Sequence, residues 1–289
     1  MKELLPEAGP TNYVSRNMPT RGTIAILTYH SLDDSGSVLS TPPQVFAEQM
    51  QILSDSDMKV ISLDQARGVL SNGSPAERLV AITFDDGFQN FRKRGLPILQ
   101  QYGFPATVFL VTGYCGRENS WPGQPRSIER RPLLRWTEVK EMSAAGITFG
   151  SHTRTHPDLT TATSQLAEEE MVSSKKAIED ATGVSVELFA YPYGAYNDTV
   201  KRLAQLHFSL ACTTRLDFAG IASDLFALER LDIYYLRQPR LFRRLFSREM
   251  STYLGFRRRM RDVRRRVFRR RDSLMTERDN TRQDAHLSD

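Results

Sequence analysis

Short, almost continuous apolar runs alternate with helical patterns along most of the 289-residue chain, and this alternation strongly constrains its fold. The clearest run is RLVAITFDDG at residues 78–87, which is typical of a strand buried on both faces of a parallel sheet. Between such runs, apolar residues recur three and four positions apart, as in residues 42–56. Strands that alternate with helices predict parallel strands joined by helical crossovers. The sequence therefore predicts an α/β fold.

About seven strands are expected in this fold. The predicted segments are residues 23–30, a short strand leading into a helix within 59–66, 78–87, 105–113, 147–152, 186–194, 209–214, and a strand or rim segment at 227–236. Chemistry in folds of this kind gathers at the carboxyl ends of the strands. Polar residues follow several of the predicted strands: His30, Asp85, Asp86, His152, Tyr191 and Tyr193. The functional site is expected at that end of the sheet.

Two adjacent carboxylates, Asp85 and Asp86, end the clearest apolar run. Each disfavours ionisation of the other, so a metal ion, a basic partner or a helix N-terminus must offset their repulsion. The sequence SHTRTH at residues 151–156 places His152 and His156 four positions apart, so that both imidazoles can face one point. Two histidines and one carboxylate form an open zinc site, and zinc lowers the pKa of water toward ~7. The second carboxylate would then remain ionised and accept a proton from water.

A pair of histidines four positions apart has a simpler interpretation as surface or capping residues. The chain contains only five histidines, however, and this pair closes one predicted strand while the two aspartates close another. These independent placements together favour a metal site. The two cysteines form no CxxC pair, which excludes a cysteine metal cluster.

Three motifs, TFDDG (83–87), SHTRTH (151–156) and YPYG (191–194), resemble in sequence and order those of the polysaccharide deacetylases, the NodB-homology family of carbohydrate esterases. The resemblance covers about residues 22–236. It implies a distorted (β/α) barrel. It also implies metal-dependent removal of an N-acyl group, usually acetyl, from an amino sugar in a polysaccharide or lipid-linked glycan.

The resemblance also implies roles for individual residues. Asp85 would be the general base, and Asp86, His152 and His156 would bind a divalent metal, expected to be Zn²⁺.

The YPYG motif would supply the rest of the catalytic pocket. The turn at Pro192 and Tyr193 would offer a backbone N–H to the oxyanion, which makes Tyr193 a catalytic candidate as well as a substrate-binding one. Tyr191 and Tyr193 could line the sugar site, and Tyr191 could equally be a core residue. Trp121, in a loop, is a further ligand candidate.

Two departures from the family pattern concern the base and the acid. The family often has an arginine that pairs with the base where this chain has Ala190, and Arg230 in ERLDIY could replace it at the pocket or form a rim salt bridge. No Leu-x-His follows residue 214, although the family uses such a histidine as general acid. His30 could act as the acid, support the pocket, or be a core histidine. An alternative function is therefore a catalytically weakened deacetylase fold that binds carbohydrate or acts as a scaffold.

Residues 237–271 form a strongly basic segment. They contain fifteen arginines and two acidic residues, a net charge of +13, so the rest of the chain sums to −8 against the overall +5. From Phe242 onward, apolar residues recur mostly three or four positions apart, which predicts an amphipathic helix. Such a helix with an arginine-rich face is typical of proteins that bind anionic membrane surfaces. It could instead pack on the barrel or a protein partner, and nucleic acid is disfavoured because no base-reading motif accompanies it.

The chain organisation follows from these segments. It comprises a flexible segment at 1–21, a catalytic domain at 22–236, the basic helical segment at 237–271 and a disordered tail at 272–289. The N-terminus has no apolar core region of a signal peptide, and no run approaches the ~20 apolar residues of a membrane span. A cytoplasmic protein, held at the inner membrane surface by its basic segment, is expected.

Overall fold

The computed structural model describes residues 22–73, 77–261 and 263. The predicted flexible segment at 1–21 and the predicted tail at 272–289 lie outside these residues. The strands are β1 (Thr23–Tyr29), β2 (Ser31–Leu32), β3 (Ser40–Thr41), β4 (Met58–Ile61), β5 (Arg78–Phe84), β6 (Thr107–Leu110), β7 (Thr148–Ser151), β8 (Leu188–Ala190), β9 (Leu210–Leu216), β10 (Ala219–Gly220) and β11 (Leu228–Asp232). The α-helices are α1 (Pro43–Ser54), α2 (Leu63–Asn72), α3 (Asn90–Arg94), α4 (Leu96–Tyr102), α5 (Trp136–Ala144), α6 (Ser164–Thr182), α7 (Asp198–His207), α8 (Pro239–Phe242) and α9 (248–261).

Seven parallel strands close into a barrel. Their order is β1, β11, β9, β8, β7, β6 and β5, and β5 pairs again with β1. Strand β4 lies outside this ring because it pairs only with the first half of β5, whose last residues pair with β6. The predicted barrel of about seven parallel strands is confirmed.

Alternate residues of each strand face two different layers of the core, as the two-residue period of a strand requires. In β1, Ile24 and Ile26 belong to the cluster inside the barrel, while Ala25 and Leu27 join the larger cluster between strands and helices. All four are fully buried, and each isoleucine contributes roughly 1.5–3 kcal/mol of stability. The same alternation determines which residues reach the barrel interior at its carboxyl end.

The helical stretch after β5 is divided between α3 and α4 at Gly95. Pro97 lies in the first turn of α4. It has no backbone N–H with which to continue the hydrogen bonding of α3, so the helix restarts there.

Within its described residues, 237–261 and 263, the basic segment contains two helices joined by a turn rather than the one continuous helix that the sequence predicts. Phe242, Leu245, Met250 and Leu254 are buried in the main core, so the first part of the segment packs on the barrel. Beyond Gly255, the side chains of Phe256, Met260 and Val263 are exposed instead. Among the described residues, no helix is both long enough and apolar enough to cross a bilayer.

Candidate active site

The polar residues predicted from the sequence meet at the carboxyl end of the barrel. His30, Asp85 and His152 each occupy the first position after β1, β5 and β7, respectively. The Asp85 N–H donates a hydrogen bond to the Tyr29 carbonyl at 2.9 Å, and the His152 N–H donates one to the Leu110 carbonyl at 2.9 Å. Ladder hydrogen bonds thus continue one residue past the strands and hold these side chains at the mouth of the barrel.

A buried ion pair joins Asp85 to Arg230. The two guanidinium Nη atoms each donate to one carboxylate oxygen at 2.7 Å, and Arg230 Nε–H donates to the Thr213 carbonyl at 2.9 Å. Burial raises the pKa of Asp85, but the charge of Arg230, with smaller effects of His152 and His30, brings the net pKa below the usual aspartate value. Asp85 is therefore held ionised, as a proton acceptor must be.

Arg230 forms the ion pair with Asp85 that the family pattern would expect from an arginine at position 190. Its side chain is 1% exposed, so it is not a rim salt bridge. Leu228, two positions earlier in β11, lies in the interior cluster, and Ala190 lies there too. The alternation of β11 therefore directs Arg230 into the barrel, where its guanidinium carbon lies 5.7 Å from the centroid of the Phe109 ring.

Asp86, His152 and His156 form a group of potential metal ligands, and all three are buried. Asp86 Oδ1 lies 3.6 Å from His152 Nε2 and 3.7 Å from His156 Nε2. These distances are too long for hydrogen bonds. They suit ligands of one ion, because donors about 2.1 Å from a tetrahedral zinc lie about 3.4 Å apart.

Protonation and hydrogen bonding also fit a metal at these three residues. His152 Nδ1 lies 2.7 Å from the Ala190 carbonyl, which leaves Nε2 with the lone pair. Within the described residues, His156 Nδ1 is buried without a hydrogen-bond partner. Burial raises the pKa of Asp86, whose carboxylate a bound cation would stabilise. Burial lowers the pKa of His156, which favours the neutral imidazole that a metal ligand requires. This donor set fits a divalent metal such as Zn²⁺.

Strained backbone is concentrated at this site. Among the described residues, those other than glycine with positive φ are Asp86 (70°), Thr153 (67°), His156 (61°) and Tyr193 (58°). Such conformations persist only where the surrounding structure imposes them, and they cluster at functional sites. Gly87 continues the turn at φ 74°, and a Cβ there would lie 2.6 Å from Leu110 Cδ2. The TFDDG motif therefore needs its glycine.

Helix α6 holds the loop that carries both histidines through hydrogen bonds. Glu170, which is buried, accepts hydrogen bonds from the Thr155 N–H and hydroxyl, both at 2.7 Å. The Thr153 hydroxyl accepts the His156 N–H at 2.9 Å. Sequence reasoning missed Glu170, because a glutamate within a helical pattern carries no signal of burial.

Aromatic rings and His30 surround the metal group. The Trp121 and Tyr193 rings both contact His156, with centroids 4.7 Å and 4.6 Å from that of the imidazole. Tyr193 is 42% exposed, whereas Trp121 is buried. His30 Nε2 lies 4.0 Å from Asp85 Oδ2, and its side chain is partly exposed. His30 thus faces the site.

Tyr191 is a core residue, the second of the two roles that its sequence position allows. Its side chain is fully buried, its hydroxyl donates to the Phe226 carbonyl at 2.9 Å, and its ring packs on Phe189. Tyr191 follows β8, but its ring joins the layer between strands and helices. Pro192 is buried as well, so only its backbone can take part in the pocket.

The sequence model of the polysaccharide deacetylases matches residues 72–210. The Bacillus subtilis deacetylase homologue YxkH is 30% identical over 212 residues, which cover 73% of this chain and 71% of that protein. The chain belongs to the polysaccharide deacetylase family. It is a carbohydrate N-deacetylase by class, and the predicted family is confirmed.

Two further relatives place this deacetylase within the family. The Staphylococcus aureus poly-beta-1,6-N-acetyl-D-glucosamine N-deacetylase is 28% identical over 162 residues, and the match covers 53% of each protein. The structure of the Streptococcus pyogenes deacetylase PplD in complex with acetate is 30% identical, with a TM-score of 0.69. That match covers 79% of this chain and 100% of PplD.

Proposed function

We propose that this deacetylase is a metal-dependent hydrolase that removes an N-acetyl group from an amino sugar in a polysaccharide or lipid-linked glycan. The observation that carries the proposal is the buried Asp85 carboxylate, held ionised by Arg230 beside the ligand group Asp86, His152 and His156. The staphylococcal relative, named for its action on an N-acetylated glucosamine polymer, and the acetate-bound streptococcal structure support the reaction class.

Asp85 acts as the general base. Its carboxylate accepts a proton from the water that attacks the amide carbonyl, and Arg230 fixes the direction of both carboxylate oxygens. Asp86, His152 and His156 would hold a divalent metal, which would supply Lewis acidity to lower the pKa of water toward ~7 and to polarise a carbonyl.

Tyr193 and His30 complete the proposed reaction. The Tyr193 backbone N–H, in the strained turn after β8, stabilises the oxyanion that develops on the amide carbonyl. His30, close to Asp85 and partly exposed, gives a proton to the leaving amine. The exposed Tyr193 ring packs on the sugar. Because Arg230 pairs with the base and His30 lies beside it, the site favours an enzyme over a weakened scaffold.

Removal of the metal tests this proposal. The purified protein is expected to contain about one divalent metal ion per chain, as one three-residue site requires. Acetate release from N-acetylated amino-sugar oligomers should fall by at least about 100-fold after chelation and return when Zn²⁺ or a related ion is added, because Lewis acidity supplies several kcal/mol. Full activity of a protein shown by elemental analysis to be metal-free would overturn the metal-dependent mechanism.

We also propose that the outer face of α9 binds an anionic membrane surface, which would hold the enzyme at the inner membrane. Phe256 and Met260 are 60% and 54% exposed, and Val263 beyond them is 58% exposed. At about 100° per residue, these three lie on one side of the helix and the buried Leu254 lies opposite. Such an apolar stripe among arginines suits the interface of an anionic leaflet.

Flotation with lipid vesicles tests the membrane proposal. The full chain should float with vesicles rich in anionic lipid and remain behind with neutral ones. The variant Phe256→Ser/Met260→Ser should lose most of this binding, because burying a large apolar side chain contributes roughly 1.5–3 kcal/mol. Binding unchanged by the double substitution, or no binding of the wild type, would contradict the proposal.

A further inference from the structure

A cavity of about 430 Å³ adjoins the Pro192–Gly194 turn on the side of β9 and α9. Three arginines dominate its wall, Arg215 from β9 and Arg258 and Arg261 from α9. Hydroxyl-bearing residues supply much of the remaining lining. The arginine-rich helix, whose role the deacetylation site leaves unexplained, therefore forms part of a polar cavity beside that site.

Acidic residues neutralise only part of the positive charge of this cavity, the arginine pocket. Arg258 pairs with Asp217, and Arg215 lies 3.7 Å from a carboxylate oxygen of Glu229. Arg261 forms no ion pair within residues 22–73, 77–261 and 263, and its Nη2 donates a hydrogen bond to the Thr214 hydroxyl at 3.4 Å. Guanidinium groups remain charged at neutral pH. The pocket therefore keeps a positive charge that an anion can neutralise.

Thr214, in the wall of this pocket, connects it to the turn that carries Tyr193. The Thr214 hydroxyl, which accepts the hydrogen bond of Arg261, donates to the Tyr193 carbonyl at 3.1 Å. Gly194 packs so tightly here that a Cβ on it would lie 2.3 Å from Thr214 Oγ1. A group bound by Arg261 would thus lie on the far side of Thr214 from the turn that carries Tyr193.

We propose that the arginine pocket binds a phosphate or carboxylate group carried by the glycan next to its N-acetylated sugar. This inference rests on the proposed deacetylation and adds the substrate class, an anionic glycan. Guanidinium forks match the geometry of phosphate and carboxylate oxygens, and the neighbouring hydroxyls can donate further hydrogen bonds. A neutral N-acetylglucosamine polymer has no group that would pair with Arg261.

Kinetics with matched substrates test the pocket. Acetate release would be compared for a neutral N-acetylglucosamine oligomer and for the same oligomer bearing a phosphate or a uronic acid carboxylate. In Arg261→Ala, KM for the preferred anionic oligomer should rise about 10- to 100-fold, the loss of one charged hydrogen-bonding partner. In the same variant, KM for the neutral oligomer should stay within about twofold of the wild-type value. Arg261→Lys should recover part of the loss.

The control is Arg243→Ala, an exposed arginine of the same basic segment. It should leave both substrates unaffected, since it lies outside the pocket. Equal losses for neutral and anionic oligomers in Arg261→Ala would overturn the proposal, as would a wild type with no preference for either anionic oligomer. A preference for phosphate over carboxylate, or the reverse, identifies the anion.

Direct binding separates failure of the pocket from failure of the proposed deacetylation. If the wild type releases no acetate from any oligomer, the deacetylation proposal fails. The anionic oligomers would then be titrated calorimetrically into the full-length His152→Ala/His156→Ala variant, which excludes binding through a metal. Affinity at least about 10-fold above that for the neutral oligomer, lost when Arg261→Ala is added, would support the pocket. Equal affinities for the anionic and neutral oligomers would overturn it.

Discussion

Asp85→Asn is expected to lower kcat for deacetylation by about 10²- to 10⁴-fold, the usual contribution of a positioned base. The amide keeps the shape of the side chain but cannot accept a proton near neutral pH. The same change leaves the Arg230 guanidinium buried without its anionic partner. Breaking a buried pair in this way costs about 3–5 kcal/mol, so the free energy of unfolding should fall as well.

The double variant Asp85→Asn/Arg230→Met separates these two effects. It removes both charges from the barrel interior, so the free energy of unfolding should recover much of what Asp85→Asn lost, because apolar replacement of a buried pair is often close to neutral. Acetate release should stay as low as in the single variant. Recovery of activity in the double variant would show that Asp85 is not the base. Unchanged thermal unfolding of Asp85→Asn would show that the pair does not stabilise the barrel.

The general architecture and the metal group could be predicted from the sequence because local patterns encode them. The apolar run before Asp85 is long enough to identify a buried strand, and the spacing of His152 and His156 is short enough to identify a turn. Arg230 was identified only as a candidate, by its place in ERLDIY. Its burial follows from the alternation of β11, which could be deduced only once the strand and its inner face were known.

Other features depend on packing that no local pattern records. Tyr191 occupies the first position after β8, just as His152 does after β7, yet its ring turns toward the outer layer and forms core. The apolar residues of the basic segment form one stripe in the sequence, but Met250 is buried against the barrel and Phe256 is exposed. Which part of an amphipathic helix docks depends on the surface beside it.

His152→Ala/His156→Ala is expected to abolish metal binding, because Asp86 alone cannot replace three ligands of the site. Elemental analysis should show close to one metal ion per wild-type chain and almost none in the variant. Acetate release should fall by at least about 10³-fold, since the loss combines the metal with the geometry that it imposes.

A matched control variant and a second measurement distinguish loss of the metal site from misfolding of the variant. His207→Ala removes a histidine of α7 that pairs with Glu168 at 2.7 Å, away from the metal group. It should keep both metal and activity. Added Zn²⁺ should raise the unfolding temperature of the wild type and of His207→Ala, because an ion that binds only the folded state stabilises it. It should not raise that of the double variant. A double variant that retains stoichiometric metal would show that the ion binds elsewhere, and the assignment of Asp86, His152 and His156 as its ligands would be wrong.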